Sequence, residues 1–248
     1  FFVYAFAAQR HGVEAISYSR TNNYHLPAIN ELAWQNNIPL TFIANPNNPT
    51  GTLSPREQVI EYIQHAPGII VVDECYYEFS GETVVDLIHG YKNLIVFRSL
   101  SKSFGLAGLR LGYLAAHESL ADRLARSALT FSVNALAQAA GTAALDELDI
   151  HRQRIQTLIQ DRDTLQKELE ALGLAVLPSA TNFLLTLWPT PIENPAAKLA
   201  GQGILVSDQT KNMQTDRPAL RIALGTNEEN ARLVGCIRGI MKNAGVEG

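Results

Sequence analysis

Cysteine is scarce in this chain, with two among 248 residues, Cys75 and Cys236, and no C-x-x-C pair. That supply suits reduced thiols in a reducing compartment, the cytoplasm. Clustered histidine is missing too: His11, His25, His65, His89, His117 and His151 are scattered without ligand-like spacing, so no metal site is expected. No apolar run approaches the roughly 20 residues that a membrane-spanning helix needs. A basic excess is also lacking. The net charge is -4, with no Lys/Arg block and no basic stripe interleaved with aromatics, which argues against nucleic acid as a partner. Repeats and low-complexity segments are absent. What remains is 46% hydrophobic and 18% charged, enough to bury one large core and a smaller second one. The opening Phe1-Phe2-Val3-Tyr4 reads as an entry in mid-domain, and the expectation is a chain that lacks the start of its first domain.

The hydrophobic pattern alternates between short apolar runs and longer amphipathic segments. It predicts helices over residues 3–11, 27–35 (with Pro27 first), 54–65, 117–126, 134–145 and 149–172, and strands over 13–17, 40–44, 68–72, 94–97 and 111–115. Ser54-Pro55-Arg56-Glu57 has the form of a helix start, with Ser54 as cap and Glu57 closing a capping box. Strands alternating with helices in this way predict an α/β domain, a mostly parallel sheet sandwiched by helices, over residues 1–148. Beyond Gly173 the pattern shifts to short strands at 175–177, 183–187, 204–207 and 220–224. A final helix starts at Thr226, whose T-x-x-E pattern runs to Glu229. Residues 149–248 therefore read as an interdomain helix and a smaller α+β domain.

In an open parallel sheet, ligands sit beyond the carboxyl ends of the strands. Three polar clusters fall there: 45–51 (NPNNPTG), 73–77 (DECYY) and 99–102 (SLSK). The first is an extended, tightly turned loop suited to presenting an amide side chain, although N-P-T-G alone also describes an ordinary surface turn. A carboxylate closing an apolar strand, as Asp73 does, costs several kcal/mol to bury unless a cation or protonated group meets it. Such a group is a protonated ring nitrogen on one reading, and a helix cap or a basic side chain on the other. Tyr76 offers a phenol to the same place. Lys102 follows Ser99 and Ser101 and precedes Arg110, so an amine, two hydroxyls and a planar cation lie close in sequence. Most lysines are solvated, and S-x-S-K alone occurs often by chance. Together with the two upstream clusters, Lys102 reads as a Schiff-base lysine beside an anchored phosphate.

The three segments in this order, N-P-x-N-P-T-G, a strand ending D-E-x-Y, and S-x-S-K with an arginine eight residues on, resemble the pyridoxal-phosphate aminotransferases of fold type I. Within that family the chain is most similar to the histidinol-phosphate aminotransferases, through NPNNPTG, VVDECYYEF, SLSKSFGLAGLRLGY, PSATNFL and LRIALGTNEEN. The resemblance implies pyridoxal 5'-phosphate as cofactor, bound covalently by Lys102, which also shuttles a proton between the substrate carbon and the cofactor. It implies that Asp73 pairs with the pyridine nitrogen, that Asn48 and Tyr76 bond the ring's phenolic oxygen, and that Ser99, Ser101 and Arg110 hold the phosphate. Arg221 would take a substrate carboxylate or its equivalent, and Phe1 would stack on the ring. The implied reaction converts histidinol phosphate and 2-oxoglutarate to imidazole acetol phosphate and glutamate, in a homodimer.

The chain departs from the family in two ways. Family members begin well before Phe1, with a loop that donates to the cofactor phosphate and a tyrosine that reaches the neighbouring subunit. A short chain is therefore expected to bind cofactor weakly. Many histidinol-phosphate enzymes also carry a phosphate-binding arginine where this chain has Ser207, with Lys211 and Arg217 as the nearby basic residues. Two rival readings follow from the resemblance: a decarboxylase of the same fold acting on a phosphothreonine-like substrate, and a non-catalytic aminotransferase-like domain.

Overall fold

The structure is a computed structural model that describes residues 1–21, 24–32, 34, 38–190, 192–213 and 215–246. Two compact units divide the chain: residues 1–48 with 52–152, and residues 49–51 with 153–248.

The first unit holds α1 (Phe2–Arg10), β1 (Leu40–Ala44), α2 (Arg56–His65), β2 (Ile69–Asp73), the single turn α3 (Tyr77–Ser80), β3 (Leu94–Ser99), β4 (Gly112–Ala116), α4 (Glu118–Ser127) and α5 (Ala135–Asp146). Its sheet runs β1-β2-β3-β4, with the first three strands parallel and β4 antiparallel to β3. Alternation along β2 explains the two covered faces. Ile70 and Val72 pack with Val59, Tyr62 and Ile63 of α2 and with Ile43, Leu94 and Val96. On the opposite face Val71 and Ile95 meet Leu120 of α4. Each fully buried aliphatic side chain contributes about 1.5–3 kcal/mol, so the better-filled α2 face carries more of the stability of this sheet.

Three expectations for this unit are corrected. Residues 13–17 form no strand: Val13 and Ile16 are more than half exposed, and nothing pairs with them among the described residues. Within 27–35 the described residues form a 3-10 turn, Ile29–Glu31, and Trp34 is also in 3-10 conformation, so no α-helix is seen among them; residues 33 and 35 lie outside the described residues. Backbone groups just before this turn bond to side chains, since Tyr62 Oη donates to Pro27 O at 2.7 Å and Gln58 Nε2 to Leu26 O at 2.8 Å. Ser54 does not cap α2. Pro55 holds the cap position, and Ser54 Oγ instead accepts from Leu26 N at 3.3 Å and from Arg20 at 3.2 Å.

Helix α6 (Leu148–Ala171) begins in the first unit and ends in the second. The second unit continues with β5 (Ala175–Val176), β6 (Phe183–Leu187), α7 (Pro195–Ala200), β7 (Ser207–Asp208), α8 (Thr210–Met213), β8 (Ala219–Ala223) and α9 (Asn227–Asn243). Its antiparallel sheet has the order β5-β6-β8-β7. The expected strand at 204–207 shrinks to Ser207–Asp208. The α9 capping box forms as read, with Thr226 and Glu229 each bonding the other's backbone N–H. Leu184, Trp188, Leu220, Ile222 and Ile237 make a continuous core with Leu165 and Leu169 of α6. Among the described residues no helix is long and apolar enough to cross a membrane.

Candidate active site

The parallel register of β1, β2 and β3 sets Ala44 opposite Asp73 and Asp73 opposite Phe97. The three segments singled out in the sequence therefore leave the sheet side by side. Two further backbone bonds prolong the ladder past the strands, Asn45 N to Asp73 O at 3.0 Å and Glu74 N to Phe97 O at 2.8 Å.

The first of these loops is braced by Asn45, which is buried. Its Oδ1 accepts from Ser54 N at 2.8 Å and its Nδ2 donates to Ser54 O at 3.2 Å, closing the loop on itself. Arg20 adds a second brace by donating to Ala44 O at 2.6 Å, and burial pushes its guanidinium down to about 10. Asn48, half-buried, follows the cis Asn45–Pro46 peptide within this loop.

At the end of β2 both oxygens of Asp73 are engaged. Oδ1 accepts from Cys75 N at 3.0 Å, and Oδ2 accepts from the phenol of Tyr4 on α1. Burial, and then the Asp73 charge, hold the Tyr4 phenol well above the usual phenol range. The same two causes push up the Cys75 thiol, against a smaller opposing effect from Lys102. Tyr4 also stacks on Phe42 of β1, with ring centroids 4.8 Å apart at 15°. Phe1 meets Tyr4 edge-on at 5.6 Å. The neighbouring Glu74 is 2% exposed and belongs to a different set of contacts. It accepts from Arg98 Nη2 at 2.9 Å, from Thr83 Oγ1 at 2.7 Å and from Val84 N at 2.7 Å. Arg98 also lies 3.6 Å from the centroid of the Tyr77 ring. Burial would lower the Arg98 guanidinium, but the Glu74 bond and charge outweigh it and raise the group.

Lys102 stands in the loop that joins β3 to β4, exposed, with Nζ 5.8 Å from the centroid of the buried Tyr76 ring. The base of this loop is closed by Leu100 N to Leu111 O at 3.1 Å and by Ser101 N to Ser99 Oγ at 3.2 Å. Only glycine fits at Gly112, where a Cβ would lie 2.8 Å from the Arg98 carbonyl oxygen. Helix α5 backs the loop through Gly141, where a Cβ would sit 2.3 Å from Leu111 Cδ2. Phe104 packs on His151 at the start of α6, with ring centroids 4.7 Å apart. Arg110 turns the chain in the left-handed region (φ 54°) and donates to Ala107 O at 3.0 Å, holding its own turn.

Of the residues selected from sequence, Asp73, Tyr76, Lys102, Ser99, Ser101, Asn48 and Arg110 share the first unit, on segments that leave one end of its sheet or lie in the loop from β3 to β4. Arg221 lies in the second unit, on β8, its guanidinium carbon 5.3 Å from the Phe183 ring centroid. Directly across from it in the register is Ser207, whose Oγ accepts from Gln209 Nε2 at 2.7 Å. Arg217 is committed to backbone, donating to Trp188 O at 3.0 Å and Leu187 O at 3.2 Å. Lys211 is exposed on α8. Sequence reasoning missed Tyr4. An aromatic with a hydroxyl beside the Phe1 already singled out was the available signal, but the contact to Asp73 spans 69 positions.

The donor set fits pyridoxal phosphate. A carboxylate can meet a protonated ring nitrogen, a phenol and an amide can meet the ring oxygen, an amine can meet the aldehyde, and hydroxyls with a guanidinium can meet the phosphate. Among the described residues no cluster of three or more His, Cys, Asp or Glu side chains could hold a metal ion.

The chain is similar to known proteins along nearly its whole length. The family model for aminotransferase class I and II matches residues 4–237. The histidinol-phosphate aminotransferase of Thermoanaerobacter sp. (strain X514) is 40% identical over 203 residues, which cover 82% of this chain and 57% of that protein. The chain thus spans a little over half the length of that curated relative. Among solved structures, the histidinol-phosphate aminotransferase of Clostridium acetobutylicum superposes with a TM-score of 0.88 at 22% identity, over 97% of this chain and 75% of that one, a likeness of fold. The L-threonine-O-3-phosphate decarboxylase of Porphyromonas gingivalis superposes with a TM-score of 0.81 at 26% identity, over 98% of this chain and 74% of that one. With the family matched across nearly all of its length, the chain belongs to the class I and II aminotransferases.

Proposed function

We propose that this chain carries the cofactor-binding and catalytic part of a pyridoxal-phosphate-dependent aminotransferase that moves an amino group between an amino acid and a keto acid. The observation that carries this reading is the placement of Asp73, Tyr76 and Lys102 on neighbouring segments at the ends of β2 and β3, with Lys102 Nζ 5.8 Å from the Tyr76 ring centroid.

Bound pyridoxal phosphate supplies an electron sink for the bonds at the amino-bearing carbon of the substrate. The residues do the rest. Lys102 would hold the cofactor by its amine and would carry the proton at the substrate's amino-bearing carbon. Asp73 would accept from the ring nitrogen and keep it protonated. Tyr76 and Asn48 would donate to the ring oxygen, and Ser99, Ser101 and Arg110 would donate to the phosphate. Arg221, on the second unit, would take a substrate carboxylate with its planar fork.

Within this reading, histidinol phosphate with 2-oxoglutarate is the substrate pair, supported by the relatives' names and the shared motifs. The neutral Ser207–Gln209 pair opposite Arg221, and the commitment of Arg217 to backbone carbonyls, leave Lys211 as the cation available to a substrate phosphate in that segment. A decarboxylase acting on a phosphothreonine-like substrate is the second reading, favoured by the likeness to the Porphyromonas gingivalis enzyme. A homodimer in the cytoplasm completes the proposal. Leu129, Phe131 and Leu136, each more than three-quarters exposed, form apolar surface that a second subunit would cover.

Borohydride reduction of the chain with pyridoxal phosphate, followed by peptide mapping, tests the reading. The label is expected on Lys102, and a label on Lys92 or Lys211 would sink the assignment. Product analysis then separates the two reactions, since amino transfer yields a new amino acid and decarboxylation yields carbon dioxide. Asp73→Asn should fold normally and slow turnover by orders of magnitude through the weakened electron sink.

A further inference from the structure

The two oxygens of Asp73 are held by donors from different parts of the chain. Cys75 N–H, two residues on, fixes Oδ1. Tyr4, 69 residues back, fixes Oδ2. A carboxylate with one donor can still rotate about its last bond. One with a donor on each oxygen cannot, and its remaining lone pairs point in set directions. Tyr4 is itself fixed by its stack on Phe42, the β1 neighbour of Val71 in β2. We propose that Tyr4 is a positioning residue for the cofactor: its phenol orients the Asp73 carboxylate, so that the free lone pairs face the ring nitrogen of bound pyridoxal phosphate.

This inference rests on the proposed cofactor and deepens it. Because burial and the Asp73 charge keep the Tyr4 phenol protonated, it remains a donor across the working range of pH. A bond from a neutral donor to a charged acceptor in a partly buried site lies at the stronger end of protein hydrogen bonds. Losing it is expected to weaken the Asp73–cofactor contact about tenfold. A purely structural role makes a different prediction. In that case Tyr4 serves to attach α1 to the sheet, and its loss lowers affinity for any ligand of the same shape.

The experiment compares two ligands on the 248-residue chain and its Tyr4→Phe variant, which keeps the ring and its stack on Phe42. One ligand is pyridoxal phosphate. The other is its 1-deaza analogue, in which a C–H replaces the ring nitrogen. Dissociation constants are measured by absorbance titration, with thermal unfolding as a control for folding. The inference expects Tyr4→Phe to bind pyridoxal phosphate about tenfold more weakly and the deaza analogue equally well. It also expects Tyr4→Phe to add nothing when Asp73→Asn is already present. Equal pyridoxal phosphate affinity in wild type and variant overturns it, as does an equal loss for both ligands. A wild-type chain that binds pyridoxal phosphate no more tightly than its Lys102→Ala variant overturns the cofactor reading itself and the inference with it, whereas failure of the inference alone leaves that difference intact.

Discussion

The two units bury their apolar residues very differently. In the C-terminal unit the inner side chains close on each other, and Leu184, Leu185, Trp188, Leu220 and Ile237 lose all contact with water. In the N-terminal unit one face of the sheet is well filled by α2, while the α4 face rests on Val71, Ile95 and Leu120. Leu129, Phe131 and Leu136 of this unit stand in solvent, and α1 has no fully buried residue, Tyr4 being half-buried. The chemistry-bearing loops belong to the less filled unit. A site needs backbone and side chains free to meet a ligand, and those are the groups that a tight core would consume.

The sharpest way to break this contrast is to carve the same hole in each unit. Leu220→Ala, in the fully packed core, should cost about 4 kcal/mol, because its neighbours cannot collapse into the space. Trp34 and Trp188 lie one in each unit, so fluorescence during urea unfolding reports on both. Glu74→Gln should cost about 3 kcal/mol by leaving the Arg98 charge, 11% exposed, without its carboxylate. That would show that the N-terminal unit is held as much by a buried ion pair as by its apolar layers. Leu120→Ala, in the thin layer, should cost about 2 kcal/mol, the low end for such a change. A loss equal to that of Leu220→Ala would erase the distinction between the units.

The smallest effect has a pH signature. Tyr62 Oη donates to Pro27 O, and burial, partly offset by Arg20, pushes its phenol up to about 12. Below pH 10 folded and unfolded chains both keep the proton. Between pH 10 and about 12 only the unfolded chain releases it, so the stabilisation is lost as pH rises through that window. Tyr62→Phe should therefore be about 1 kcal/mol less stable at pH 8. It should lose less on titration to pH 12, and parallel stability curves for the two proteins would refute the assignment.

Most of the sheet and its motif loops could be read from sequence because their causes are local. Runs such as Ile69-Ile70-Val71-Val72 are buried on both faces, and the polar residues that close them stand where the strands end. The misreadings come from contacts that no local window holds. Ser54 has the chemistry of a cap, but Arg20 and Leu26, 34 and 28 positions away, claim its hydroxyl first. Residues 13–17 alternate like a strand, yet a strand is defined by its neighbour, and none pairs with them among the described residues. Tyr4 escaped notice for the same reason. The division of labour between Asp73 and Glu74 follows from alternation, but its proof needed Arg98 in view.

That division has a consequence for charge balance. Two acids stand side by side at the end of β2, and a binding site exposed to both would carry two negative charges and favour divalent cations or a shared proton. Glu74 is matched internally by Arg98, so it contributes no net charge to its surroundings. The strand end therefore offers a single negative charge, which suits the one protonated ring nitrogen of the proposed cofactor contact. Replacing Arg98 by a neutral residue would alter the charge at the strand end without touching Asp73.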